Sequence, residues 1–211
     1  MMLAPFLTAV CVPTTNADVA LSGRYLEART ASVFAGACHY NGELVSDGRE
    51  AVLAWSFEAG SFAGVDFTGR SLAALVVDDE NLSFGPRVRR SVLYVTAATP
   101  SRETQALVEW AVEAHRDVLG HVVGVRFTDV ALSIEDESFA LDVAGVCSVN
   151  GSAMPDRACC KMPFQVWYTP FEPTLNRLVG RDERFTLDEP LLERRWSRPG
   201  ENAAFFGRFA R

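Results

Sequence analysis

The chain has 211 residues, 48% of them hydrophobic and 22% charged, so it has enough apolar surface for one sizeable core and is not typical of a disordered protein. Its formal charge of −7 argues against a nucleic-acid partner, because such proteins concentrate basic residues against phosphates. No apolar run reaches the roughly 18 residues that a membrane-spanning helix needs. We therefore expect a soluble protein with no membrane span, folded as a single domain over residues 18–211.

Residues 1–17 form an apolar segment that weakly resembles an export signal. The stretch Leu3–Val12 is apolar, but a basic start is missing, and Pro5 and Pro13 interrupt the segment. The sequence leaves the compartment open, with the cytoplasm favoured over export. The compartment matters because exported thiols tend to form disulfides, whereas cytosolic thiols stay reduced.

In the first half of the chain, apolar runs predict successive strands of one sheet. A strand over residues 51–58 would place Leu53, Trp55 and Phe57 on one face, because alternate residues of a strand share a face. Further strands are predicted over residues 72–77 and 91–96.

One helix is expected in the middle of the chain. The segment Thr99–Ser101 combines capping hydroxyls with a proline suited to a first helical turn. Apolar residues that include Leu107 and Trp110 then recur at helical spacing, and Gly120 is expected to end the helix. We predict an amphipathic helix over about residues 100–119 that packs on the sheet.

In the second half of the chain we predict a hairpin, a loop and two further strands. Residues 122–143 alternate around an acidic turn and predict a hairpin, while residues 145–157 are rich in Gly, Ser, Pro and Asn and predict a loop. A strand follows over residues 164–168, and a mostly polar tail leads to a last strand at Phe205–Phe209. The predicted fold class is α+β, with a mainly antiparallel sheet and one principal helix.

Soft donor side chains fall into clusters along the sequence. Thiolate, imidazole and thioether groups are suitable ligands for copper(I) or zinc, so these residues form a candidate site for one of those metals. The candidate ligands are Cys38, His39, Cys147, Cys159, Cys160 and Met162. Because neighbouring residues of an extended chain point in opposite directions, one of the adjacent pair Cys159 and Cys160 would face away from the others.

The same cysteines support a second interpretation, a structural or interaction domain without metal. Cys38, Cys147 and one of Cys159 or Cys160 could form a disulfide in several pairings, and the sequence does not choose among them. A disulfide from Cys147 to Cys159 or Cys160 would close a loop of about a dozen residues and stabilise the fold by about 3 kcal/mol. Alternatively, the cysteines would pack in the core as small hydrophobic residues. The sequence does not choose between these alternatives, and it identifies no small ligand or protein partner.

A thiol-dependent enzyme is a further alternative. Cys38 or Cys160 would act as the nucleophile, with His39, His115 or His121 as the base. However, His39 would point away from Cys38 on an extended strand, and the sequence contains no recognised catalytic motif. A non-enzymatic protein is therefore the better expectation, and the catalytic residues stay unassigned.

Several short motifs resemble the bacterial family known as domain of unknown function 1326. They are Gly23–Thr30, Gly36–Cys38, Asn41–Glu43, Ala51–Phe57, Gly64–Asp66, Trp167–Pro170, Arg195–Ser197 and Phe206–Phe209. The family has no established activity, but its members carry cysteines in places similar to Cys38 and Cys159–Cys160, and the resemblance implies a metal site, with copper among the choices. Relatives often have a cysteine where this chain has Ala31, so a site here would use His39 or Met162 instead.

Overall fold

A computed structural model describes residues 18–35, 48–85, 88–154, 165–166 and 168–211. In chain order the strands are β1 Ser22–Arg29, β2 Phe34–Ala35, β3 Glu50–Ala59, β4 Ser61–Phe62, β5 Val65–Asp66, β6 Ser71–Val77, β7 Arg90–Val95, β8 His121–Phe127, β9 Val130–Glu135, β10 Ser138–Val143, β11 Cys147–Ala153, β12 Gln165–Val166, β13 Leu175–Glu189, β14 Arg194–Pro199 and β15 Ala204–Ala210. The helices are α1 Ser101–Ala114 and α2 Arg116–Leu119, with short 3₁₀ turns at Leu82–Phe84 and Pro190–Leu192.

Within the described residues, eleven strands form one mixed sheet. Ten of them follow the order β8-β7-β6-β3-β1-β15-β13-β11-β10-β9, and β14 pairs with β13 beside this path. The pairings are antiparallel except for that of β7 with β8, which is parallel. A parallel connection needs a crossover, and α1 and α2 supply it.

The sheet curls so that its two halves enclose a core. β9, at one end of the strand order, packs against β6 and β3 near the other end. Side chains from both halves fill the space between them, including Leu26 and Tyr94 from one half and Phe139, Val149 and Phe185 from the other. This inner core is the first of two large apolar clusters.

The helix layer covers the opposite face of the first half of the sheet. Leu53, Trp55 and Phe57 share this outer face with the buried side of α1, where Leu107 and Trp110 lie. The predicted one-sided pattern of β3 is therefore confirmed. The result is three layers: helices, the first half of the sheet and the second half of the sheet.

Gly120 ends the helical region as the sequence predicts. Its φ is +60°, a conformation that glycine adopts without strain. A Cβ atom at this position would lie 2.4 Å from the backbone oxygen of Arg89, so even a small side chain would require the backbone to move. The helix itself is shorter than expected, because His115, with φ of −129°, separates α1 from α2.

The predicted α+β class is wrong: the fold is mainly β, and α1 is a covering element on a large curled sheet. The error arises because the predicted loop over residues 145–157 contains β11 and the predicted polar tail contains β13 and β14. Many positions of β11 and β13 are exposed and polar, and β14 has no buried residue, so the apolar runs are short. The predicted hairpin is confirmed for β9 and β10, whereas β8 pairs with β7.

One buried carboxylate makes the stability of this sheet depend on pH. Asp182 is 1% exposed; one of its oxygens accepts a hydrogen bond from the Glu201 N–H at 2.9 Å, and the other has no hydrogen-bond partner among the described residues. Burial, with a further contribution from the Glu201 carboxylate, raises the pKa of Asp182 to about 6. The folded protein therefore takes up a proton at a higher pH than the unfolded chain does.

We expect Asp182→Asn to gain stability relative to the wild type as the pH rises. Because the folded state binds the Asp182 proton more tightly than the unfolded chain does, protonation stabilises the wild-type fold, and this contribution is complete below about pH 4. It is lost as the pH rises through 6. Between pH 4 and pH 8 the difference in unfolding free energy should shift toward the variant by up to about 3 kcal/mol. Urea denaturation of both proteins at pH 4, 6 and 8 measures this shift, and a constant difference would contradict it.

Candidate functional site

Of the six candidate metal ligands, the structure describes only Cys147. Cys38 and His39 lie in residues 36–47, and the other three, Cys159, Cys160 and Met162, lie in residues 155–164; both segments are outside the described residues. The structure therefore bears on these ligands through the described residues that flank the two segments in the chain.

A two-stranded ladder joins the flanks of the two segments. β2 and β12 are antiparallel, with Phe34 opposite Val166 and Ala35 opposite Gln165. Because the strands are antiparallel, the chain after Ala35 and the chain before Gln165 are attached at the same end of this ladder. Cys38 follows Ala35 by three residues, which an extended chain spans in about 10 Å.

The outer ends of the two segments are attached to the main sheet region. Gly48, which follows the first segment, donates its N–H to the Thr30 carbonyl at 3.1 Å and accepts a hydrogen bond from the Leu82 N–H at 2.8 Å. Met154, which precedes the second segment, donates its N–H to the Val179 carbonyl at 2.9 Å. Each segment thus begins and ends at hydrogen-bonded backbone.

Cys147 lies away from this ladder. It is 5% exposed, belongs to the inner core and pairs with Val143 and Leu187. Burial, followed by the nearby Asp142 carboxylate, raises the pKa of its thiol to about 12, so the thiol is protonated at neutral pH. Ala153, at the end of β11 that leads to residues 155–164, is six positions along the strand from Cys147, a distance of about 20 Å.

A buried ion pair lies on the helix-side face of β1. Glu27 and Arg29 are 0% and 2% exposed, and the Arg29 Nε lies 2.5 Å from the Glu27 Oε1. The other Glu27 oxygen accepts hydrogen bonds from the Tyr25 hydroxyl and the Phe171 N–H, each at 2.7 Å. Glu27 therefore has a charged partner and two neutral donors, which offset the cost of burying its charge.

The segment over residues 168–174, which we call the strap, covers this ion pair. The Arg29 guanidinium donates a hydrogen bond to the Thr169 carbonyl at 2.9 Å and stacks on the rings of Tyr168 and Phe171, with its Cζ 5.0 and 4.1 Å from their centroids. Arg89, paired with Asp78 at 3.3 Å, lies 5.4 Å from the Phe171 ring. The strap follows β12 in the chain, so these contacts hold the ladder region against β1.

A second buried carboxylate fixes the other end of the strap. Glu172 is fully buried; it accepts hydrogen bonds from Trp55 Nε1 at 3.3 Å and Arg211 Nε at 2.8 Å, and the His115 Nε2 lies 3.1 Å away. Burial alone would raise the pKa of Glu172, but the interactions with His115 and Arg211 outweigh it and lower this pKa below its usual value. Glu172 is therefore ionised in the folded protein.

The chain was compared with protein families, curated proteins and solved structures. None of the three comparisons finds a match. None of the helices in the described part of the chain is long and apolar enough to cross a membrane.

Two of the three histidines considered as catalytic bases, His115 and His121, lie in the described part of the chain. His115 is 2% exposed and packs between Trp55 and Trp110, with ring centroids 4.9 and 5.3 Å away. His121 is exposed at the start of β8. Among the described residues, no group of three or more His, Cys, Asp or Glu side chains is placed to hold a metal ion.

Sequence reasoning missed the buried charges of β1. The signal was available in part, because Tyr25, Glu27 and Arg29 alternate along the strand and must share a face. An alternating pattern does not indicate which face is buried, and the strap that covers this face comes from 140 residues further along the chain. Glu172 was missed because its partners come from β3, the end of α1 and the last residue described.

Proposed function

We propose that this chain is a non-enzymatic protein that binds one soft metal ion, copper or zinc, between its two cysteine-bearing segments. The observation that supports this most strongly is the β2–β12 ladder. It attaches the segment that carries Cys38 and the segment that carries Cys159 and Cys160 at one end of the same pair of strands. Residues more than 100 positions apart in the sequence are thereby within chain reach of each other.

The donor set proposed for the metal is Cys38, with one of Cys159 and Cys160, supplemented by His39 or Met162. Two thiolates and one imidazole or thioether suit a low-coordinate copper(I) ion, and a further ligand would complete a tetrahedral zinc site. We leave Cys147 out of the set because its thiol is buried in apolar surroundings and protonated, whereas metal ligation requires the thiolate.

The chain that follows the ladder is anchored to the described fold, which supports the proposal. The strap, which follows β12, contacts the buried Glu27–Arg29 pair, and its Glu172 is buried and hydrogen-bonded, so the flank of the second cysteine-bearing segment is attached to the described fold. Ligands on a fixed support lose less conformational entropy when they bind. We also propose membership of the family known as domain of unknown function 1326, on the strength of the shared motifs.

We predict that the purified protein, reduced and loaded with copper(I) or zinc and then desalted, retains about one metal ion per chain. Elemental analysis measures the stoichiometry, and a thiol count before and after chelation measures how many cysteines the metal protects. Cys38→Ser should lower metal retention at least tenfold, and so should one of Cys159→Ser and Cys160→Ser, because losing one ligand removes a large share of the binding energy.

Cys147→Ala is the matched control, since it also removes one thiol but should retain the metal. The proposal fails if neither metal is retained or if Cys147→Ala loses the metal as Cys38→Ser does. If the reduced protein retains no metal, and protein that has not been reduced lacks free thiols in denaturant, the cysteines form disulfides and the structural alternative is favoured.

A further inference from the structure

One end of the space enclosed by the curled sheet is lined by polar side chains. On β1, Arg24 is paired with Arg208 of β15 on one side and with Ser56 of β3 on the other. Ser56 is in turn paired with Ser71 of β6. Leu26 lies two residues from Arg24 and belongs to the inner core, so this row is on the same inner face. The inner core therefore ends in a polar row.

Two arginines in this row face each other directly across the strand pair. Like charges in such positions repel, and Glu58 offsets the repulsion. Arg24 Nε donates to Glu58 Oε1 at 3.0 Å; Arg208 donates to the same oxygen at 3.3 Å and, through Nη2, to Oε2. Hydrogen bonds from Arg208 lower the pKa of Glu58, so the three groups carry a net charge of +1.

Donor capacity remains on these arginines after Glu58 is bound. A guanidinium has five N–H donors; within the described residues Arg24 uses only its Nε–H, and Arg208 uses one N–H of Nη1 and one of Nη2. Arg24 and Arg208 have side chains 40% and 50% exposed, so a ligand can reach them from solvent. A second anion could therefore bind beside Glu58 without displacing it.

A pocket of about 300 Å³ opens beside the two arginines. Arg24 and Arg208 lie on one side, and Ile134, Leu178 and Phe206 form an apolar wall that is continuous with the inner core. We call this the mouth pocket. It combines a cationic rim with an apolar wall, and its volume is at the small end of the range found for small-molecule sites.

We propose that the mouth pocket binds a small amphipathic monocarboxylate. The planar carboxylate would take paired hydrogen bonds from the free N–H groups of Arg24 and Arg208, and the alkyl tail would lie along the apolar wall. The two arginines and Glu58 carry a net charge of +1, and Asp136, which also lines the pocket, brings the local charge to zero. The pocket therefore favours a monoanion, held by the two guanidinium groups, over a dianion such as a phosphate monoester.

Isothermal titration calorimetry with octanoate, acetate and octyl phosphate tests this proposal on the full chain at pH 7.5. Octanoate should bind with saturable heat. Acetate, which lacks the tail, and octyl phosphate, which is largely a dianion at this pH, should each bind at least tenfold more weakly. Arg24→Gln should weaken octanoate binding at least tenfold, and Leu178→Ser should weaken octanoate but not acetate.

Arg195→Gln is the matched control, because the Arg195 side chain is 84% exposed on β14 and outside the mouth pocket. It should bind octanoate as the wild type does. Unfolding midpoints of all variants establish that they are folded. The proposal is overturned if octanoate produces no saturable heat, if acetate or octyl phosphate binds as tightly as octanoate, or if folded Arg24→Gln retains wild-type affinity. None of these outcomes depends on metal binding, so this test and that of the proposed function can fail separately.

Discussion

Replacing Glu27 by glutamine is expected to lower the free energy of unfolding by about 3–5 kcal/mol. Glutamine is nearly the same size and can still accept hydrogen bonds from the Tyr25 hydroxyl and the Phe171 N–H. It cannot neutralise Arg29, which is 2% exposed and would remain as a buried charge without its partner. The loss of the charge, rather than a loss of packing, dominates the effect.

Urea denaturation of the wild type and of Glu27→Gln measures this loss. In the double variant Glu27→Gln, Arg29→Met both charges are gone, and we expect much of the lost stability to return, because an apolar replacement of a buried pair is often close to neutral. Glu58→Gln removes an exposed carboxylate that also pairs with arginines and should cost at most about 1 kcal/mol. Equal losses for Glu27→Gln and Glu58→Gln would show that the buried pair contributes no more than a surface pair.

Replacing Trp55 by alanine is expected to lower the unfolding free energy by about 3–5 kcal/mol. Trp55 is fully buried, and its ring packs against Tyr25, Trp110 and His115 with centroids 5.4, 5.7 and 4.9 Å away. Alanine would leave a cavity between the sheet and α1. It would also remove one of the hydrogen bonds to Glu172.

The variant Trp55→Phe separates these two contributions, because phenylalanine keeps most of the ring volume but has no N–H donor. We expect it to cost about 1–3 kcal/mol, the cost of losing a partner for a buried carboxylate together with a small void. Phe84→Ala removes another aromatic ring, but Phe84 is 69% exposed, so its loss should stay within about 0.5 kcal/mol. A loss for Trp55→Ala no larger than that for Phe84→Ala would mean that the aromatic cluster adds nothing to stability.

The elements predicted correctly from sequence are those whose pattern is set by a single apolar face. β3 has Leu53, Trp55 and Phe57 at alternate positions, and α1 has Leu107 and Trp110 at helical spacing; both buried faces are as predicted. Gly120 was predictable because the backbone conformation that ends a helix there favours glycine. In each case the local sequence contains the information that determines the element.

The second half of the sheet was not predictable in the same way. β13 is fifteen residues long, but its charged residues Arg181, Glu183 and Arg184 interrupt the apolar pattern. A register shift in its pairing with β11 between Asn150 and Gly151 breaks the alternation further. The partners of β13 on its two sides, β11, β14 and β15, stabilise a strand that local propensity does not favour.

The candidate metal site was predictable only as a set of suitable donors. The sequence indicated which residues have side chains suited to a soft metal. It did not indicate that their flanks meet, because the β2–β12 pairing joins residues about 130 positions apart. The core location of Cys147 was among the alternatives, but burial could not be distinguished from ligation without the fold. The Arg24–Arg208 pair was missed because like charges facing each other are apparent only once the register of β1 and β15 is known.

The pairing of β1 with β15 also affects how the chain folds as it is synthesised. β15 lies next to β1 in the middle of the sheet, but the ribosome makes it about 175 residues later. At a synthesis rate of about 5–20 residues per second, the edge of β1 that pairs with β15 stays unpaired for of the order of ten seconds or more. During this interval the nascent chain exposes an open strand edge to other chains, so its yield on expression should depend on chaperones that shield such edges.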